Sequence, residues 1–207
     1  MVTEVPRLLP TDEARDLLEL TRELADKELA PRAEEYERRG EFPRELVRLI
    51  GQAGLLGLPY PAEYGGGGQP YEVYLQVLEV LASRWLTMAE AVSVHTLSCY
   101  PVATFGSPEQ RAELLPAMLS GERLGAYCLS EPAGGSDAAA MTTRAVRDGD
   151  TYRVTGTKAW ITHAGVADFY NIFCRTGGPG ARGISCLLAD ADTPGIVPQA
   201  RERTMGL

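Results

Sequence analysis

Two hydrophobic periods divide the chain near Gly121. Before it, apolar residues recur three and four positions apart, as on one face of a helix; after it they fall in short runs broken by Gly, Pro and Asp. Leu17, Leu20 and Leu24 share a face after Thr11, a hydroxyl residue suited to cap a helix start. Pro31 is expected to kink or end that helix, because it lacks an amide hydrogen and its ring crowds the carbonyl of an earlier turn. Leu46, Leu49, Ile50 and Ala53 repeat the pattern, as do Tyr74, Val77, Leu78 and Leu81, so these helices should face a shared core. Ser107-Pro108-Glu109-Gln110 combines an N-cap serine, a proline at the first helical position and a glutamine that completes a capping box before Leu114, Leu115 and Met118. Gly121 marks the end of that helix.

The β-prone runs beyond it are Ala126 to Leu129, Thr143 to Arg147, Tyr152 to Thr155, Ala159 to Thr162, Tyr170 to Cys174 and Ile184 to Ala189. Asp148-Gly149 is a hairpin signal between the second and third. The expectation is an α+β protein: an all-α helical domain over residues 1–121, then an antiparallel β-domain over 122–207. No internal repeat and no low-complexity tail interrupts it.

With 207 residues, 44% hydrophobic and 23% charged, the chain has the composition of a soluble globular protein and enough length for a sizeable core. Its net charge of −8 argues against a nucleic-acid partner, since binding to a phosphate backbone rests on clustered Lys and Arg. No apolar run reaches the roughly 18 residues of a membrane span, and Met1 to Arg15 mixes acids, bases and prolines, so no membrane segment or secretory leader is expected and the cytoplasm is the expected compartment. Cys99, Cys128, Cys174 and Cys186 lack C-x-x-C spacing and only His95 and His163 could join them, so buried free thiols are expected rather than a metal site.

Candidate chemistry gathers in two segments. Tyr127 to Asp137 places glycines, short hydroxyls and one aspartate between apolar runs, where backbone amides can approach an anion and serine hydroxyls suit phosphate or flavin carbonyls. About one hairpin downstream, Lys158-Ala159-Trp160-Ile161-Thr162 offers a flat indole followed by a hydroxyl. Together they suggest a cradle for an aromatic, phosphorylated cofactor. Gly178 to Gly183 matches G-x-G-x-x-G, but a β-prone run follows it where a dinucleotide site requires a helix, so it reads as a turn. Gly65 to Gly68 lacks the Lys-Ser/Thr of a P-loop and reads as a flexible interhelical turn. Lys158 reads as a solvated strand-end charge, and His95 as a packed helix residue with no carboxylate or nucleophile spaced to orient it. No G-x-S-x-G elbow is present.

Four segments in order, Pro59-Tyr-Pro-Ala-Glu-Tyr-Gly-Gly66, Phe105-Gly-Ser-Pro-Glu-Gln-Arg111, Cys128-Leu-Ser-Glu-Pro-Ala-Gly-Gly-Ser-Asp137 and Trp160-Ile-Thr162, resemble the N-terminal and middle parts of the acyl-CoA dehydrogenase family over nearly the whole chain. The resemblance implies a β-barrel-like middle domain, incomplete here, and a chain truncated before a C-terminal four-helix bundle. It implies FAD, with Tyr127, Cys128, Leu129 and Ser130 on one side of the isoalloxazine and Trp160, Ile161 and Thr162 on the other. Ser130 would reach the pyrimidine side, Thr162 the N5 edge, and Ser136 the pyrophosphate or the acyl-CoA; Thr176 would touch the CoA moiety. Trp160 would pack at the flavin edge, where the family passes electrons to an electron-transfer flavoprotein. His163 stands where the family often has asparagine, a departure that leaves the site in place.

The implied reaction is α,β-dehydrogenation of an acyl-CoA thioester: a carboxylate removes the α-proton while hydride leaves the β-carbon for flavin N5. In the family that carboxylate belongs to the C-terminal domain, so no residue of 1–207, Glu131 included, carries the role, and the chain alone is expected to be inactive. That domain also supplies the tetramer core; the full-length protein would be a homo-oligomer, tetramer or dimer, and this chain would expose apolar surface and an unpaired sheet edge. Two other readings stay open: an acyl-CoA oxidase or nitroalkane oxidase type of flavoenzyme, and a non-catalytic module that keeps affinity for flavin or acyl-CoA.

Overall fold

Among the described residues, six α-helices precede a five-stranded sheet. The computed structural model describes residues 8–202 and 204; the start of the mixed-charge opening, residues 1–7, and the Met205–Leu207 end at which the middle domain was read as incomplete lie outside them. α1 (Asp12–Leu24) begins at Thr11, whose hydroxyl accepts from the Ala14 amide at 3.1 Å. Its buried face is Ala14, Leu18, Thr21 and Leu24, one step round from the stripe expected, and Leu20 is 44% exposed. The reason lies downstream. α1 continues without a break through a π turn (Ala25–Leu29) into α2 (Ala30–Arg39), and the buried Ala25 and Leu29 extend the Ala14/Leu18/Thr21 seam, not the Leu17/Leu20 one. Pro31 therefore does not end the helix. It sits in the first turn of α2, and the wider π turn before it takes up the missing hydrogen bond.

α3 (Arg44–Gln52), α4 (Tyr71–Ala82) and α5 (Leu86–Phe105) close a core of Leu18, Leu29, Ile50, Leu81, Met88 and Val92. Before α4, the Gly65–Gly68 loop is fixed rather than flexible: amides of Gly66, Gly67 and Gly68 bond the carbonyls of Pro61, Gly57 and Tyr60 at 2.8–3.1 Å. α6 (Pro108–Leu119) starts with the full capping box, Ser107 and Gln110 each accepting from the other's amide. It ends before Gly121, whose φ of +77° reverses the chain where an L side chain would strain. α5 is apolar around most of its circumference; one side packs inward while Leu97, Tyr100 and Phe105 stay exposed.

The sheet comprises β1 (Gly125–Cys128), β2 (Arg144–Asp148), β3 (Thr151–Thr155), β4 (Phe169–Arg175) and β5 (Ile184–Asp190). It is mixed, not antiparallel. β4 lies at its centre, antiparallel to β5 along its whole length, parallel to β1 over its first half and bridged in parallel to β2 at Arg175. A tight turn joins β2 to β3 and a longer loop, residues 176–183 with a 3-10 turn (Ala181–Gly183), joins β4 to β5, and both pairs are antiparallel; the long connection from β1 to β4 permits a parallel pairing. Ala159–Thr162 forms no strand, because Trp160 (φ 54°) and His163 (φ 70°) take left-handed backbone that a pleat cannot hold.

Helices and sheet are joined by Phe169, fully buried against Cys99, Val102, Leu115 and Met118. A polar clamp adds to this: Arg44 of α3 pairs with Asp168 and donates to the carbonyls of Val166 (2.9 Å) and Glu122 (3.2 Å), and the same Asp168 oxygen accepts the Leu124 amide at 2.6 Å. Among the described residues no helix is long and apolar enough to cross a membrane.

Candidate functional site

β1 is an edge strand, and its residues set one wall of the site. Gly125, at its start, has its amide accepted by His95 Nδ1 (3.0 Å) and its carbonyl bonded by His163 Nδ1 (2.8 Å). His95 Nε2 donates to the Met118 carbonyl at 2.8 Å, which fixes its tautomer and leaves Nδ1 free to accept. Both rings are buried, and burial pushes each down to about 4. Only glycine fits between them: a Cβ at 125 would lie 2.4 Å from the Phe169 ring and 2.6 Å from Ser98 Cβ.

After Cys128 the chain turns, with the Leu129 amide bonding the Tyr127 carbonyl at 3.1 Å, and runs into a loop closed by paired backbone bonds between Glu131 and Gly134. Glu131 is only 3% exposed. Its carboxylate accepts from the Thr142 amide (2.7 Å), the Thr142 hydroxyl (2.8 Å), the Thr143 amide (2.9 Å) and Lys158 Nζ (3.0 Å). Burial works to raise its pKa, but the Thr143 and Thr142 donors outweigh it and hold the carboxyl well below the usual range. Lys158 is thus no solvated charge. It is buried beside Glu131 and also donates to the Leu129 carbonyl at 2.9 Å.

One further bond, Ala159 N–H to the Ser130 carbonyl at 3.0 Å, sets the two motif segments side by side. Trp160 then projects 71% exposed, so it is not a core residue. An open cleft of about 1880 Å³ runs along this wall, larger than the roughly 300–1,000 Å³ of a small-ligand pocket, lined by Cys128, Trp160, Ile161, Thr162, His163 and Tyr170 among others. The Nε2 of His163, a lining residue, is buried without a partner.

Of the residues expected to form the site, Cys128, Trp160, Ile161 and Thr162 line the cleft, whereas Leu129 and Ser130 do not; their carbonyls bond Lys158 and Ala159, just before Trp160. Tyr127 points the other way, its ring tilted on Phe173 at 4.7 Å. Ser136 is exposed on the loop. Thr176 lies past the end of β4, where its hydroxyl meets that of Ser185 at 2.6 Å; it does not line the cleft. Glu131, Lys158 and Thr143 were not singled out as site residues. Opposite charges in the two motifs were the available signal for the first pair, while nothing local marks Thr143. The arrangement, main chain and neutral hydroxyls along one flat wall with an aromatic at its rim, suits a planar ligand with a hydrogen-bonding edge.

Comparison with known proteins agrees with this geometry. The profile of the acyl-CoA dehydrogenase N-terminal domain matches residues 11–122, and that of the middle domain residues 126–207. An acyl-CoA dehydrogenase of Bacillus subtilis is 36% identical over 199 residues, 95% of this chain and 52% of that protein. The mitochondrial isobutyryl-CoA dehydrogenase of Bos taurus is 35% identical over 97% of this chain and 48% of its own. The crystal structure of a glutaryl-CoA dehydrogenase from Mycobacterium smegmatis in complex with FADH2 superposes with a TM-score of 0.87 at 32% identity, covering 95% of this chain and 50% of that one. The chain thus spans about half the length of the relatives it matches, and over that span its motifs, its folded elements and both domain profiles agree: it belongs to the acyl-CoA dehydrogenase family.

Proposed function

We propose that the protein is an FAD-dependent acyl-CoA dehydrogenase, removing hydrogen from the α and β carbons of an acyl-CoA thioester, and that residues 1–121 and 122–207 are its N-terminal helical and middle β domains. The observation that carries this reading is the bond from Ala159 to the Ser130 carbonyl, which ties the segment after Cys128 to the residue before Trp160, beside the cleft that Cys128 and Trp160–Thr162 line. The residues present fit a flavin: the cleft has room, and the buried Nε2 of His163, a lining residue, has no partner.

A bound FAD would supply the hydride acceptor, at its N5. Main chain from Tyr127 to Leu129 and the Ser130 hydroxyl would hold its pyrimidine side, where neutral donors favour the negative charge of reduction. Thr162 would sit at the N5 edge and Trp160 at the rim. Ser136 would take the pyrophosphate or the acyl-CoA, and Thr176 the CoA moiety. Glu131 is unsuited to abstract the α-proton, because its oxygens are engaged by buried donors that hold its carboxyl well below the usual range and leave it a weak base. The base is assigned to the part of the protein that corresponds to the other half of the relatives. The electron acceptor is an electron-transfer flavoprotein, for which the exposed Trp160 marks the approach. The whole protein is a homo-oligomer.

The test is to express the protein from its native gene and mix it anaerobically with butyryl-CoA and isobutyryl-CoA. Bleaching of the flavin's visible absorbance is expected. A colourless protein, or a yellow one that no acyl-CoA bleaches, refutes the reading; turnover with oxygen alone would assign it to the oxidases.

A further inference from the structure

We infer that the Lys158–Glu131 ion pair is a strut that sets the separation between the two flavin-facing segments, which makes both residues positioning residues for the cofactor. This rests on the flavin reading above. The pair is buried, Lys158 at 11% and Glu131 at 4% side-chain exposure, with Nζ and Oε1 3.0 Å apart. A single ammonium and a single carboxylate join three stretches of chain. Lys158 Nζ holds the Leu129 carbonyl at 2.9 Å, next to Ser130, while its own backbone leads two residues on to Trp160. Glu131 in turn fixes Thr142 and Thr143 through their amides at 2.7 and 2.9 Å, and Thr143 belongs to the cleft lining.

A buried ion pair is a poor way to gain stability, because desolvation offsets the attraction and apolar replacements are often neutral or stabilising. What it provides is geometry: each partner bonds main chain of the other's segment or of the loop between them. Two of the segments so tied are those proposed to contact the isoalloxazine. A flexible lysine or a free glutamate would let the Leu129–Ser130 lip move relative to Trp160–Thr162. A misplacement of about 1 Å in positioning groups can cost about a hundredfold in rate, and the same loosening should weaken the cofactor's contacts.

The experiment titrates FAD into FAD-free protein made from the native gene, at a temperature where thermal scans show each variant folded. Lys158→Met and Glu131→Gln should each raise the FAD dissociation constant about tenfold or more and shift the visible bands of the bound flavin. Lys158→Arg, which keeps charge and donors, should retain most of the affinity. The double variant Lys158→Met with Glu131→Gln leaves no unpaired charge, so it should recover thermal stability lost by the single variants without recovering affinity or spectrum; it carries the test if a single variant does not fold. A folded single or double variant with wild-type affinity and flavin spectrum overturns the strut alone. Wild-type protein that takes up no FAD overturns the flavin reading, and the strut with it.

Discussion

His95 and His163 grip the same residue from opposite sides: His95 Nδ1 accepts the Gly125 amide and His163 Nδ1 donates to the Gly125 carbonyl. One histidine belongs to α5 and the other follows the Trp160–Thr162 segment, so Gly125 links the helices to the cleft wall. Each ring works only when neutral. A proton on His95 Nδ1 would set donor against donor, and one on His163 would fall on Nε2, which has no partner.

Stability should therefore fall in mild acid. Burial lowers both histidines from 6.5 to about 4, so between those values the unfolded chain binds protons that the folded chain does not, and acidification favours unfolding. The stabilising contribution is complete above pH 6.5, fades as pH drops and is gone below about 4; at full effect it amounts to about 3 kcal/mol per histidine. Arg44 pushes both rings the same way, while Asp168 opposes it at His95. Denaturant midpoints measured from pH 7.5 to 4.5 should slope downward, and His163→Asn should flatten the slope. A level profile in the wild type would refute the account.

Gly125→Ala should cost about 1–3 kcal/mol, since its methyl would meet Phe169 and Ser98 inside normal contact distance and push β1 off α5. Gly178→Ala, with nothing within 4 Å of the added carbon, serves as the control and should stay within about 0.5 kcal/mol in the same urea titration. Equal effects of the two would mean that the β1–α5 contact is loose.

Trp160→Gly should stabilise the FAD-free protein by about 1 kcal/mol while weakening FAD binding. The side chain is 71% exposed and loses little packing, and glycine relieves the left-handed backbone at φ 54°. Thermal scans without FAD and titrations with it separate the two effects. A destabilised apo-protein would show that the indole packs against the chain after all.

Ser107→Ala should destabilise by about 1 kcal/mol, because it removes one of the two reciprocal bonds that start α6. Differential scanning calorimetry at neutral pH would check it; an unchanged melting temperature would make the capping box dispensable.

Features fixed by neighbours in sequence were legible there. Ser107 and Gln110 announce a helix start and Asp148-Gly149 a hairpin because the partners lie within a few residues. The buried face of α1 was not, since Leu17/Leu20 and Ala14/Leu18 form equally good local stripes and the choice is made by Ala25 and Leu29 on the helical continuation. Ala159–Thr162 has strand propensity, yet the bond from Ala159 to Ser130 and the left-handed Trp160 withdraw it from the sheet. Lys158 departs from the expectation for a related reason. A lone lysine reads as solvated, and only folding reveals a buried carboxylate 27 positions back. At the site, the two cleft segments were legible as motifs, whereas the ion pair that spaces them and the histidines that hold Gly125 depend on contacts no local pattern encodes.

The central place of β4 also dictates an order of assembly. Its pairing with β5 closes through the shorter 176–183 loop and can form early, but its parallel pairing with β1 must first bring together positions such as Leu124 and Asp168, 44 residues apart, at the entropic cost of closing that loop. The Tyr127–Ser130 lip is then among the last pieces to settle, and pulse-labelled amide exchange should show β1 protected after β5. On the proposed flavin reading, cofactor capture would then have to wait on the slowest contact in the sheet.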